Sequence, residues 1–318
     1  MNAQIITLDT IRDAAARIAP HAHVTPLLNS RSIDAITGAT LLFKAEHLQR
    51  VGAFKFRGAC NAVWSLDDET ARRGVVTHSS GNHGAALALA ARTRGITAHV
   101  VVPEDAVKSK VAAIEAYGAT LHYCAPTMAA RDATAERLQR ETGAELVHPY
   151  KDPRVIAGQG TAALELLTQS GGVDVLVTPV GGGGLTSGCA IAAHGLDPQI
   201  KVFAAEPEGA ADTYESLRQG RHVTDMVPNT IADGLRANIG AINYDLMRQH
   251  LAGVLVVSEE EMIAAMRLVW QRMKQVIEPS SATVLAAVLR YREHFAGKRV
   301  GLVVSGGNVD LDRLPWVA

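Results

Sequence analysis

The chain has 318 residues, enough to bury a large core as one compact unit or two subdomains. Apolar residues make up 47% and charged residues 20%, which excludes a disordered chain; 31 lysines and arginines against 32 aspartates and glutamates give a formal net charge of −1, which argues against a broad basic surface for nucleic acid. A small anion bound locally is compatible with that balance.

Residues 1–9 lack the basic start and apolar stretch of a secretory signal, and no apolar run approaches the roughly 20 residues a bilayer requires. A cytoplasmic protein with no membrane partner is the expectation. Strand-like runs alternate with helix-like runs from about residue 40 onward, the pattern of a parallel sheet covered by helices. Strands are expected at 41–46, 75–78, 97–102 (stopped by Pro103), 120–123, 173–178, 202–205, 254–257 and 300–304. Helical spacing marks 107–117 and 129–141, and Ser258 with Glu261 forms a capping box before a helix over 262–274. Cys60, Cys124 and Cys189 are odd in number, widely spaced and set among apolar residues, so they read as packed thiols and not as a disulfide or zinc framework.

Taken in chain order, five segments could carry chemistry. In Val51-Gly52-Ala53-Phe54-Lys55-Phe56-Arg57-Gly58-Ala59 one lysine stands between two phenylalanines. An ammonium packed there loses hydration, its pKa falls, and the neutral amine can attack a carbonyl to form a Schiff base; the plainer reading is a buried stem with a solvated head. Ser79-Ser80-Gly81-Asn82-His83-Gly84 follows a strand, where Ser and Asn would serve equally as helix caps. Gly181-Gly182-Gly183-Gly184 follows a strand and opens a helix near Leu185, so its N–H groups and the helix dipole can cradle a phosphate; a tight turn without a ligand is the alternative. A dinucleotide site is a further rival, because Glu206 ends the next strand about 22 residues on, yet the sixth positions of the glycine pattern are Thr186 and Ser187 and the full G-x-G-x-x-G is absent. Glu206-Pro207-Glu208-Gly209-Ala210-Ala211-Asp212 is a run whose acids can simply be solvated, and Ser305-Gly306-Gly307-Asn308 reads in isolation as a turn.

Together with Val155-Ile156-Ala157-Gly158-Gln159-Gly160-Thr161, Ile231-Ala232-Asp233-Gly234 and Ile277-Glu278-Pro279, these segments resemble, over nearly the whole chain, the pyridoxal-phosphate enzymes of the tryptophan-synthase-β fold, and within them the serine/threonine dehydratase and serine racemase family. The resemblance implies an α/β fold of two open, mostly parallel sheets, with residues 1–71 and 151–318 forming a large cofactor domain and 72–150 a small mobile one. Ligands in such sheets sit beyond the carboxyl ends of the strands, where all three glycine turns fall. A homodimer is also implied.

By the same resemblance Lys55 holds the cofactor and then acts as the base at Cα, Asn82 bonds the cofactor's ring oxygen, Gly181 to Gly184 hold its phosphate, and Ser79, Ser80, Gly81 and His83 grip the substrate carboxylate. Ser305 matches the serine that faces the pyridine nitrogen; a neutral hydroxyl makes the ring a weaker electron sink than a carboxylate would, which favours β-elimination. Glu206, Ala210 and Asp212 match a Mg²⁺ or Ca²⁺ site of the racemase-like branch, with the oxygen ligands hard cations prefer. The implied reaction converts serine, threonine or threo-3-hydroxyaspartate to a 2-oxo acid and ammonia.

Within the family, Ser80 stands where serine racemases keep the base for the second face, and Arg131 where racemases and 3-hydroxyaspartate dehydratases keep an arginine near the substrate's distal end; a solvated helix residue is the alternative for Arg131. Ala53 replaces the usual serine before Phe54-Lys55, and Tyr150 stands where racemases tend to have Asn. The short stretch after Ser305 leaves no room for the regulatory domain of biosynthetic threonine dehydratases. A serine racemase with side dehydratase activity is the alternative function, a non-catalytic cofactor or amino-acid binding protein another, and a nicotinamide-dependent oxidoreductase would need the missing fingerprint.

Overall fold

The computed structural model describes residues 6–316, so part of the opening segment inspected for a targeting signal lies outside the described residues. The strands are β1 (Leu27–Leu28), β2 (Thr40–Ala45), β3 (Val75–His78), β4 (Ala98–Pro103), β5 (Thr120–Cys124), β6 (Glu145–Leu146), β7 (Val175–Pro179), β8 (Lys201–Pro207), β9 (Gly253–Val257) and β10 (Arg299–Val304). They form a six-stranded sheet, β1-β2-β10-β7-β8-β9, and a four-stranded sheet, β5-β4-β3-β6. Every pairing is parallel except β1 with β2, as the alternation of strands and helices led one to expect.

Most expected strands shift by only a residue or two; β4 takes in Pro103 as its last residue, and β7 begins at Val175. The capping box is present, with Ser258 Oγ accepting from Glu261 N at 3.3 Å and Glu261 Oε2 accepting from Ser258 N at 2.8 Å. The three cysteines are free and buried, and burial pushes the thiols of Cys60 and Cys189 up to about 12, so they are inert packing groups. Among the described residues no helix is long and apolar enough to cross a membrane.

Glycine contacts lock three helices together behind the future site. A Cβ on Gly158 would lie 2.6 Å from the Cα of Gly58, and one on Gly160 would lie 2.7 Å from the carbonyl oxygen of Gly188. The helix Pro153–Ser170 therefore packs backbone to backbone between Lys55–Trp64 and Gly184–Leu196. Gln159 Oε1 accepts the Gly58 N–H at 3.1 Å in the same contact. These two flanking helices begin at the lysine and in the glycine run, so their spacing sets the distance between those two features.

Candidate active site

The turn ahead of Lys55 is strained: Val51 has φ 56° and Gly52 φ 68°, a left-handed pair that a β-branched residue disfavours. It turns the chain from β2 into the helix Lys55–Trp64. That helix is held by a buried ionic network in which Arg57 donates to Glu46 at 2.7 Å and to Glu165, while Lys44 meets the same Glu165 at 2.7 Å. Two cations and two carboxylates neutralise each other, which makes their burial tolerable. Lys55 itself is half-buried, and desolvation of its amine lowers the pKa to about 8, with the buried carboxylate of Glu278 opposing the fall. Its Nζ donates to the carbonyl oxygen of Pro149 at 3.0 Å and lies 5.2 Å from the Phe54 ring centre.

Ser79, Ser80 and Gly81 join β3 to the helix Asn82–Arg94. The cap of that helix is Gly81 and no side chain caps it, so the serines and Asn82 are not spent on capping. Asn82 donates to both carboxylate oxygens of Glu278 at 3.2 Å and accepts from Asn308 at 2.9 Å. His83 is buried and bonded to Val147 O at 3.2 Å; burial and the nearby Lys55 charge lower its pKa to about 3.

Gly181 to Gly184 lie buried between β7 and the helix Gly184–Leu196, with Gly183 at φ +95°. By position the N–H groups of Gly184, Leu185 and Thr186 have no acceptor inside the helix, so they face whatever lies at its start. The four positions admit no side chain at the first three: a Cβ would meet Leu235 Cα at 2.8 Å at Gly181, the Tyr150 ring at Gly182, and Asn243 and Met247 at 2.7 Å at Gly183. Asn243 Nδ2 ties the cradle to its neighbour by donating to Gly182 O at 2.7 Å and Tyr150 O at 2.9 Å. Ser305 is buried with its Oγ 3.0 Å from that of Ser281, a neutral hydroxyl pair. A backbone-lined anion cradle, an amine of lowered pKa and a neutral hydroxyl pair fit a phosphate-bearing aldehyde cofactor such as pyridoxal phosphate.

The acids after β8 are not a solvated run. Glu206 and Asp212 are 0% and 1% exposed, whereas Glu208 is open to solvent. Burial and the neighbouring Asp212 push Glu206 up to about 8, and burial pushes Asp212 up to about 6. Glu206 accepts from Thr213 N and Tyr214 N at 3.0 and 2.9 Å, so it serves its own loop and not a ribose beside the glycines. Two buried carboxylates that resist losing their protons suit a cation, with Ala210 in the intervening turn; among the described residues no group of three or more His, Cys, Asp or Glu could hold a metal, so carbonyl and water oxygens would have to complete the set. Asp212 Oδ2 accepts from Ile239 N at 2.7 Å and the next residue, Gly240, donates to Gly182 O at 3.1 Å, a direct route from the acids to the cradle.

Arg131 sits on the helix Met128–Thr142, half-buried, with a buried Nε that has no protein partner, unlike a solvated helix residue. Its charge is felt by His78, the last residue of β3, whose Nε2 is 3.3 Å from the neighbouring Asp132. Sequence reasoning left Glu278 without a role, although it joins Asn82, Asn308 and Lys55; its signal, Glu before Pro279, reads only as a helix start. His148 and Asn243 were missed altogether, and Tyr150 was noticed only as a departure.

Residues 18–306 match the family described as pyridoxal-phosphate dependent enzyme. A serine racemase of Dictyostelium discoideum is 50% identical over 314 residues, covering 97% of each chain. A beta-hydroxyaspartate dehydratase of Paracoccus denitrificans is 46% identical over 98% of this chain and 99% of that one. A crystal structure of threonine deaminase from T.th. matches with a TM-score of 0.91 and 44% identity, covering 96% of this chain and 99% of that chain.

Proposed function

Because the chain belongs to the family of pyridoxal-phosphate-dependent enzymes, we propose that it carries out β-elimination on a β-hydroxy amino acid, serine, threonine or threo-3-hydroxyaspartate, releasing a 2-oxo acid and ammonia. The observation that carries the reading is Lys55, whose Nζ is held by the Pro149 carbonyl and whose pKa is brought to about 8: roughly a tenth of such an amine is neutral at pH 7, far more than for an ordinary lysine, and the neutral form can bond to a carbonyl and take a proton. When bound, the cofactor supplies an electron-withdrawing ring that acidifies the substrate's Cα–H.

The chain's own residues supply the rest. Gly181 to Gly184 hold the phosphate through backbone N–H groups, Asn82 the ring oxygen, and Ser305 the ring nitrogen without a formal negative charge. Ser79, Ser80, Gly81 and His83 bind the substrate carboxylate beside Lys55, which removes the Cα proton. Arg131 takes the second carboxylate of 3-hydroxyaspartate. Glu206, Ala210 and Asp212 hold Mg²⁺ or Ca²⁺ and so fix the loop that buttresses Gly182.

Racemisation of serine is a second reading of comparable weight, favoured by Ser80 in the loop between β3 and the helix Asn82–Arg94 and by the serine racemase relative. A hydroxyl on the face opposite Lys55 would return the proton there. One experiment tests both readings: purified protein with pyridoxal phosphate and Mg²⁺ is offered L-serine, L-threonine and the 3-hydroxyaspartate diastereomers, and 2-oxo acid and D-serine are quantified. Release of 2-oxo acid from at least one β-hydroxy amino acid is expected. D-serine without any 2-oxo acid would replace elimination by racemisation, and neither product from any substrate would overturn both.

A further inference from the structure

Residues 147–151 touch three parts of the site in turn, the helix after the Ser79 loop, the lysine and the glycine cradle. Val147 O accepts from His83 Nε2 at 3.2 Å, Pro149 O accepts from Lys55 Nζ at 3.0 Å, and Tyr150 O accepts from Asn243 at 2.9 Å while the Tyr150 ring lies against Gly182. Val147 N still donates to Val76 O at 2.9 Å at the end of the β3–β6 pairing, and residues 148–151 then run to the helix Pro153–Ser170 outside any strand. Their internal tie is the imidazole of His148: Nδ1 accepts the N–H of Lys151 at 3.2 Å and of Tyr150 at 3.4 Å. An Nδ1 that accepts cannot carry a proton, so the ring is neutral with its hydrogen on Nε2. Two edge-on contacts hold the ring in place, to His78 at 5.2 Å and Tyr150 at 4.6 Å between ring centres.

Resting on the reading of Lys55 as the reacting amine, we propose that His148 is a positioning residue whose Nδ1 folds the 148–151 turn, so that the Pro149 carbonyl aims the Lys55 amine and the Tyr150 ring backs the phosphate cradle. Burial, with the charges around it, keeps this imidazole unprotonated with a pKa of about 2, so the tie persists at any pH at which the protein works. The carbonyl acceptor favours the charged amine, as does Glu278, against desolvation; His83 and His148, which both feel the Lys55 charge, are held neutral, and His78 and Lys151 also act on His148. Removing the tie therefore withdraws one of the few groups that support the ammonium form.

The test compares His148→Asn, whose side-chain oxygen can occupy the place of Nδ1, with His148→Leu, which has no acceptor. In full-length protein stripped of cofactor, the pH dependence of Lys55 reductive methylation by formaldehyde gives the amine's pKa, and a spectroscopic titration gives the Kd for pyridoxal phosphate. The Leu variant should show a Lys55 pKa below that of the unmodified protein, because the Pro149 carbonyl no longer supports the ammonium, and a Kd raised roughly tenfold, because the Tyr150 ring no longer backs the phosphate cradle. The Asn variant should restore both. Nitrogen-15 spectra of the unmodified chain, assigned with the Asn variant, should show Nδ1 unprotonated, which keeps the test decisive if the Leu variant does not fold. A protonated Nδ1, unchanged pKa and Kd in the Leu variant, or equal damage in both variants would overturn the role of His148. Absence of any covalent adduct in the unmodified protein would instead overturn the reading of Lys55.

Discussion

Lys55 is held between desolvation, which lowers its pKa to about 8, and the Glu278 carboxylate, which resists the fall. The sign of the pH dependence follows. Between about 8 and the ordinary 10.5 the unfolded chain holds a proton here that the folded chain has lost, so this group's contribution to stability improves as pH rises through that window. The rate of covalent cofactor attachment should likewise rise with pH and level off near 8; a rise continuing to 10.5 in stopped-flow absorbance would mean an ordinary solvated lysine. For Ser80 and Arg131 the comparison between substrates matters more than any single rate. Ser80→Ala should suppress D-serine formation while sparing elimination from L-serine, and Arg131→Ala should cost about 1.5–3 kcal/mol in kcat/KM on 3-hydroxyaspartate with little change on serine. Equal losses on both substrates would make Arg131 a support of the fold. The lysine was legible in the sequence because two phenylalanines flank it, and the glycines because four adjoin; Glu278 was not, since it meets Asn82 196 residues away, nor His148, which acts through a turn that leaves no periodic trace.

At the scale of elements, the motif Gly158-Gln159-Gly160 proves to be a packing device: it lets Pro153–Ser170 approach two helices closely enough to fix the lysine relative to the cradle. Periodicity predicts a helix there and cannot predict which helix its glycines will meet. The loop after β8 plays the corresponding part on the other side, through Asp212, Ile239 and Gly240 to Gly182. The raised pKa values of Glu206 and Asp212 mean that, without a cation, the folded chain keeps protons the unfolded chain has released, so stability falls as pH rises toward about 8. A divalent cation would bind the deprotonated pair and reverse that loss, adding about 2.7 kcal/mol at a hundredfold excess over its Kd. Chelation should lower Tm, by more at pH 8 than at pH 6, and Mg²⁺ or Ca²⁺ should restore it. A Tm indifferent to chelator at both pH values would leave the two acids as a protonated pair of purely structural use.

For the molecule as a whole, the two sheets place the Ser79 loop, the glycine cradle and Ser305 at the carboxyl ends of β3, β7 and β10, where open parallel sheets bind ligands. The class of fold could be read from alternating strands and helices, but the order β1-β2-β10-β7-β8-β9 could not, because it joins the first strands of the chain to the last through pairings that no local pattern encodes. The two-residue edge strands Leu27–Leu28 and Glu145–Leu146 were missed for a simpler reason: two residues show no alternation. What unites sequence, sheets and loops in the proposed function is Lys55 as the single amine that would take a carbonyl cofactor. The most direct measurement is to load the protein with pyridoxal phosphate, reduce with borohydride, digest, and locate the modified peptide by mass spectrometry. The account predicts one stoichiometric adduct on Lys55, absent in Lys55→Ala although that variant folds; an adduct on another lysine, or full retention of a reducible adduct in Lys55→Ala, would contradict it.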